Sequence, residues 1–127
     1  MKVLALDYGS ARTGVAVSDP TGTVARPLCV VEHAGTEAGL ARLQELVRDE
    51  QAERVVVGLP LTLRGTHGEQ AVETERFVEG LRAAIEVPVE TFDERFTTTL
   101  AGPGAGEDAR AAAHLLSTYL EWSSRRS

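Results

Sequence analysis

Cysteine is almost missing from this chain: Cys29 is the single one in 127 residues. No intrachain disulfide can form, and a thiolate metal cage is excluded. Its setting, Leu28-Cys29-Val30-Val31, predicts a small core residue. Long apolar runs are missing too. The longest are four to five residues, far short of the roughly 20 that a membrane helix needs. The chain enters a strand at once and Asp7 interrupts it, so no signal peptide is expected and a cytoplasmic location is the default. A positive charge surplus is also lacking. The formal net charge is -6, which counts against easy binding of a polyanion. Lysine occurs once against twelve arginines, so the cations present are those that grip phosphate with a bidentate fork.

The remaining 43% hydrophobic and 25% charged residues are ordinary for a soluble globular chain. A length of 127 residues suits one domain, 1–127. Residues 2–7 form a short apolar run, the pattern of a strand covered on both faces. The turn Gly9 to Gly14 and the alternation Val15-Ala16-Val17-Ser18 predict a hairpin with it. Asp19-Pro20-Thr21-Gly22 signals a second turn, and a third strand is expected over 27–32.

Leu40, Leu43, Leu46 and Val47 predict a helix over 36–51. Val55 to Leu59 reads as a buried strand ended by Pro60. Thr66-His67-Gly68-Glu69 has the spacing of a capping box. The helix after it shows Thr74, Phe77, Val78, Leu81 and Ile85 on one face. Residues 87–92 form another strand, with Pro88 near its start where it is tolerated. After the break at 102–106, a helix over 107–122 turns Ala112, Leu115, Leu116, Tyr119 and Leu120 inward. Three strands, helix, strand, helix, strand, helix describe an α/β fold: a five-stranded mixed sheet flanked by helices.

Three carboxylates fall at comparable places in this order. Asp7 is the first polar group after an apolar strand, where ligands gather at a sheet's edge. It is followed by Tyr8-Gly9-Ser10-Ala11-Arg12-Thr13-Gly14. Glu94 lies in Phe92-Asp93-Glu94-Arg95-Phe96-Thr97-Thr98. Adjacent acids on an extended chain point oppositely, so one of Asp93 and Glu94 should face Asp7, and Glu94 has the longer reach. Asp108 begins the core-facing stripe of the last helix. Each has a plainer reading: a turn aspartate bonding local amides, a solvated charged turn, and a carboxylate complementing the helix dipole. Together they suit hard divalent cations, which prefer oxygen ligands. Glu107 could take the place of Asp108.

These residues carry a resemblance. The chain resembles the YqgF/RuvX family of the ribonuclease H-like superfamily. The carrying stretches are Asp7 to Asp19, Val56-Val57-Gly58-Leu59-Pro60-Leu61 with Gly65, Asp93-Glu94-Arg95-Phe96-Thr97-Thr98, and Asp108 with Ala111-Ala112 and Leu116 to Leu120. The resemblance covers nearly the whole chain. It implies a ribonuclease H-like sheet with the first three strands antiparallel and the later ones parallel. It also implies a metal-dependent nuclease in which Asp7, Glu94 and Asp108 hold two Mg2+ or Mn2+ ions about 4 Å apart. The implied role is maturation of the 5′ end of precursor 16S rRNA; the alternative is resolution of Holliday junctions. Arg12, Arg64 and Arg95 are the candidate phosphate contacts, and each could equally be a surface ion-pair residue. The partner is nucleic acid, RNA before DNA, with no membrane. A homodimer is open to it, and a junction resolvase requires one.

One stretch departs from the family pattern. Only Phe96 to Glu107 separate the Asp-Glu-Arg motif from Asp108, and Gly102-Pro103-Gly104-Ala105-Gly106 lies among them. This shortens an element that is longer and often basic in relatives. A different class, a catalytically weak ribosome-assembly factor, stays open for that reason. An actin-like or sugar-kinase ATPase, suggested by Asp7-Tyr8-Gly9, needs two domains closing on ATP, more than this length supplies. His114, two turns beyond Asp108, is either a proton shuttle near the site or an exposed or partner-facing histidine.

Overall fold

A computed structural model describes residues 1–60, 68–93 and 109–126. Among the described residues five strands and three helices follow in the expected order. Strand β1 (Val3–Asp7) pairs antiparallel with β2 (Arg12–Ser18), and β2 pairs antiparallel with β3 (Ala25–Glu32). Strand β4 (Arg54–Leu59) lies parallel to β1, and β5 (Val89–Asp93) parallel to β4. The sheet order is β3-β2-β1-β4-β5. The parallel strands are reached through helices α1 (Glu37–Asp49) and α2 (Glu69–Ala84), because a parallel crossover needs a long connection.

Strand alternation divides the core in two. Leu4, Leu6, Val15, Val17, Val55 and Val57 face one way and pack under α1 and α2 with Leu43, Leu46, Phe77, Val78 and Leu81. Val3, Ala5, Ala16, Val56 and Phe92 face the other way. Helix α3 (Ala109–Arg126) covers them with Ala112, Leu115, Leu116, Tyr119 and Leu120. Both faces of β1 and β4 are covered, which is why their sequences run apolar without alternating.

Some local expectations are corrected. Strand β2 begins at Arg12, before the alternating run. The N-cap of α2 is Gly68, so Glu69 opens the helix at its first position and makes no capping box; Thr66 lies outside the described residues. Ile85 is the extended C-cap of α2 and is buried by its own chain reversal. Pro88 precedes β5, where its carbonyl accepts from the Val55 amide. Cys29 is half-buried at the core's margin, because β3 is an edge strand, and burial raises its thiol pKa. No described helix is long and apolar enough to cross a membrane.

Two glycines are dictated by close approach. A Cβ on Gly39 would lie 2.2 Å from the His33 carbonyl oxygen, so α1 can pack on the 33–34 turn only with glycine there. The hydroxyl of Thr36 caps the helix, accepting from the Gly39 amide at 3.1 Å. A Cβ on Gly9 would lie 2.5 Å from the Arg12 carbonyl oxygen, so the tight β1–β2 connection also requires glycine.

Candidate active site

Asp7 is the last residue of β1, and it is half-buried. Alternation from Val3 and Ala5 places it on the sheet face that α3 covers. Its partner across the antiparallel ladder is Gly14. On the other side the parallel ladder pairs Leu6 with Val57, and one step further along β4 stands Gly58. Both glycines are buried. The carboxylate therefore has no side chain beside it on either neighbouring strand. The ladder continues from Gly58 to Phe92 on β5.

The same edge collects the ends of other elements. Strand β5 finishes at Asp93, paired with Leu59. Alternation puts Asp93 on the α1–α2 face. Helix α3 packs over β1, β2 and β3. Tyr119, well into the helix, accepts a hydrogen bond from Arg54 Nη1 at 3.0 Å, and Arg54 opens β4. Arg12 opens β2 beside this edge, exposed and with the parity of Asp7.

Beside Asp7 the chain is held tightly. The Thr13 hydroxyl, on a fully buried residue, lies 3.4 Å from both the amide nitrogen and the carbonyl oxygen of Gly9. Tyr8 points to the opposite face and stacks on Phe77 of α2, with ring centroids 4.3 Å apart and planes 16° from parallel. Burial and the facing Glu73 carboxylate both raise the Tyr8 pKa. Tyr8 and Gly58 are the residues that sequence reasoning missed. An aromatic next to a candidate ligand, and a glycine inside a valine-rich strand, were the available signals.

Of the expected site residues, the described ones are Asp7 and Arg12, and both lie at this edge. Glu94, Asp108, Arg64 and Arg95 lie outside the described residues, as does the glycine-rich break. Among the described residues no group of three His, Cys, Asp or Glu side chains comes together to hold a metal ion. His114 is half-buried rather than exposed, and its buried Nε2 has no hydrogen-bond partner among the described residues.

A mixed sheet in this order, flanked by helices, is the ribonuclease H-like fold. Its solved neighbours include Thermus thermophilus RuvC in complex with a Holliday junction substrate. That structure has TM-score 0.70 and 20% identity, with 100% of this chain and 97% of that one covered. The RuvX family model, described as Holliday junction resolvase, matches residues 1–122. A relative from Chloroflexus aggregans, named "Putative pre-16S rRNA nuclease", is 46% identical over 99 residues, 78% of this chain and 70% of its own. One of the same name from Syntrophomonas wolfei is 36% identical over 133 residues, 95% and 94% of the two chains. The chain belongs to the RuvX family and is a nuclease, a hydrolase acting on phosphodiester bonds.

Proposed function

We propose that this nuclease trims the 5′ end of precursor 16S rRNA, in the cytoplasm, using a divalent-cation site built from Asp7, Glu94 and Asp108. The observation that carries the reading is the placement of Asp7: a half-buried carboxylate at the end of the central strand, flanked by Gly14 and Gly58. Carboxylate oxygens suit Mg2+ or Mn2+, and glycine neighbours leave room for hydrated ions and a phosphate. The chain supports the other two assignments by connection. Glu94 follows the last residue of β5, and Asp108 precedes the first residue of α3. When bound, a pair of such ions lends Lewis acidity to the scissile phosphate and lowers the pKa of the attacking water.

The residues of the chain do the rest. Asp7 neutralises and orients the cations, and Arg12, Arg64 and Arg95 steer phosphates to them. The net charge of -6 is unevenly spread, which supports an approach from the α3 side. Helix α2 carries Glu69, Glu73, Glu75 and Glu79 against Arg76 and Arg82. Helix α3 carries Arg110, Arg125 and Arg126 against Glu121. Nucleic acid meeting the Asp7 face avoids the acidic helix layer.

The test compares the wild type with Asp7→Asn, each with Mg2+ or Mn2+, on a 16S precursor, labelled single strands and a four-way junction. The expected result is metal-dependent cleavage of the precursor that the substitution abolishes while the circular dichroism spectrum is retained. Equal cleavage by both proteins overturns the site. The family description favours a second reading, junction resolution. That reading requires a symmetric dimer and preference for the four-way junction, so a strict monomer in solution argues against it.

A further inference from the structure

We propose that Tyr8 is a positioning residue: its stack on Phe77 clamps the end of β1 and so fixes the Asp7 carboxylate for cation binding. This rests on the cation-site reading above. The ladder between β1 and β2 has its last registered pair at Asp7 and Gly14, and the ladder between β1 and β4 at Leu6 and Val57. Asp7 is thus the last residue of the strand, registered with Gly14. The chain bends at residues 10–11, just beyond it. A metal ligand at a strand end depends on its supporting contacts, because a site needs its ligands fixed before the ion arrives.

Tyr8 holds the strand end from the opposite face. Its ring lies nearly parallel to Phe77 at 4.3 Å. Phe77 is itself buried in the middle of α2. A Cβ on Gly35 would meet the Tyr8 hydroxyl at 3.5 Å and Phe77 at 4.0 Å, so the turn before α1 closes the third side of the ring's seat. Glu73, one turn before Phe77 on α2, faces the hydroxyl. The strand end is therefore pinned to α2 by one side chain adjacent to the carboxylate, beside the turn that precedes α1. Such supporting contacts typically change metal affinity by about 10- to 100-fold when removed.

The experiment is Mn2+ titration of the full chain without nucleic acid, followed by calorimetry, with cleavage measured against Mn2+ concentration in parallel. Tyr8→Leu removes the stack, Tyr8→Phe keeps it, and Phe77→Leu removes it from the other side. The expected result is a 10- to 100-fold weaker Mn2+ affinity in Tyr8→Leu and Phe77→Leu, with most of it restored in Tyr8→Phe. Cleavage recovers at saturating Mn2+, a split that a general loss of folding does not produce. Wild-type Mn2+ affinity in a folded Tyr8→Leu or Phe77→Leu overturns the clamp. Asp7→Asn is titrated alongside. If it binds Mn2+ as the wild type does, the cation site itself is wrong, and that failure is separate from failure of the clamp.

Discussion

Asp7 and Gly14 stand opposite each other at the end of the β1–β2 ladder, so the one acid on the central strand looks across at a position with no side chain. Gly58 repeats the arrangement on the β4 side. Elsewhere on this face Val3, Ala5, Ala16, Val56 and Phe92 pack against α3. The two positions without a side chain flank the carboxylate.

Filling one gap should therefore separate stability from activity. Valine is favoured in strands, but an added side chain under α3 overpacks the site by about 1–3 kcal/mol. A domain with the usual 5–15 kcal/mol of stability, taken as typical, stays folded through that. Gly58→Val is expected to melt cooperatively and yet lose at least about tenfold in cleavage, the equivalent of 1.4 kcal/mol on the barrier. Full activity in a folded Gly58→Val shows that the space beside Asp7 is not used.

The elements themselves were legible because burial on both faces leaves a plain mark. Val55-Val56-Val57 and Leu4-Ala5-Leu6 can be nothing but interior strands in a chain this size. The stripe Ala112, Leu115, Leu116, Tyr119, Leu120 gave the inner face of α3 from its period alone. The start of α2 was misread because Thr66-x-x-Glu69 fits a capping box, whereas the helix begins behind Gly68. Asp7 was legible as a polar residue closing an apolar strand. Its surroundings were not, since Gly14, Gly58 and Phe77 become its neighbours only through strand register and helix packing. Nothing local in Tyr8-Gly9 indicates that the ring turns away from the carboxylate to meet α2.

Arg12 is exposed at the edge that holds Asp7. If it meets a phosphate, its removal weakens binding whatever the sequence, and it releases fewer counterions. Arg12→Gln is expected to lower the slope of log K against log salt by about one. The check is RNA binding by fluorescence anisotropy in Ca2+, across a salt series. An unchanged slope assigns Arg12 to a surface contact with protein groups, such as Glu32 opposite it on β3.

Asp19 offers a test of pH dependence away from the site. Its carboxylate accepts from the Thr21 hydroxyl and from the amides of Thr23 at 2.7 Å and Val24 at 2.8 Å. These donors hold its pKa well below the usual carboxylate range. A depressed folded pKa means the stabilisation is present above the unfolded value, about 3.9, and is lost as pH falls through the folded one. Asp19→Asn should therefore melt below the wild type at neutral pH, and the gap should narrow only under about pH 4. A gap that stays constant down to pH 2 would show that the ionised form carries no advantage in this turn.

Arg54 and Tyr119 supply the control that separates helix docking from chemistry. Arg54 Nη1 donates to the Tyr119 hydroxyl at 3.0 Å and lies 3.3 Å from Glu90, while its buried Nε has no hydrogen-bond partner among the described residues. The Tyr119 ring meets Phe92 edge-on at 5.5 Å. Tyr119→Phe keeps the ring contacts and takes away the acceptor, leaving a partly buried guanidinium less satisfied. The expected loss is about 1–2 kcal/mol, read as a lower midpoint in urea with the slope unchanged. Because neither side chain belongs to the proposed cation site, cleavage at saturating metal should remain at the wild-type rate. A large fall in cleavage from Tyr119→Phe would instead mean that the seating of the whole helix, rather than its first turn, sets the geometry at the carboxylate.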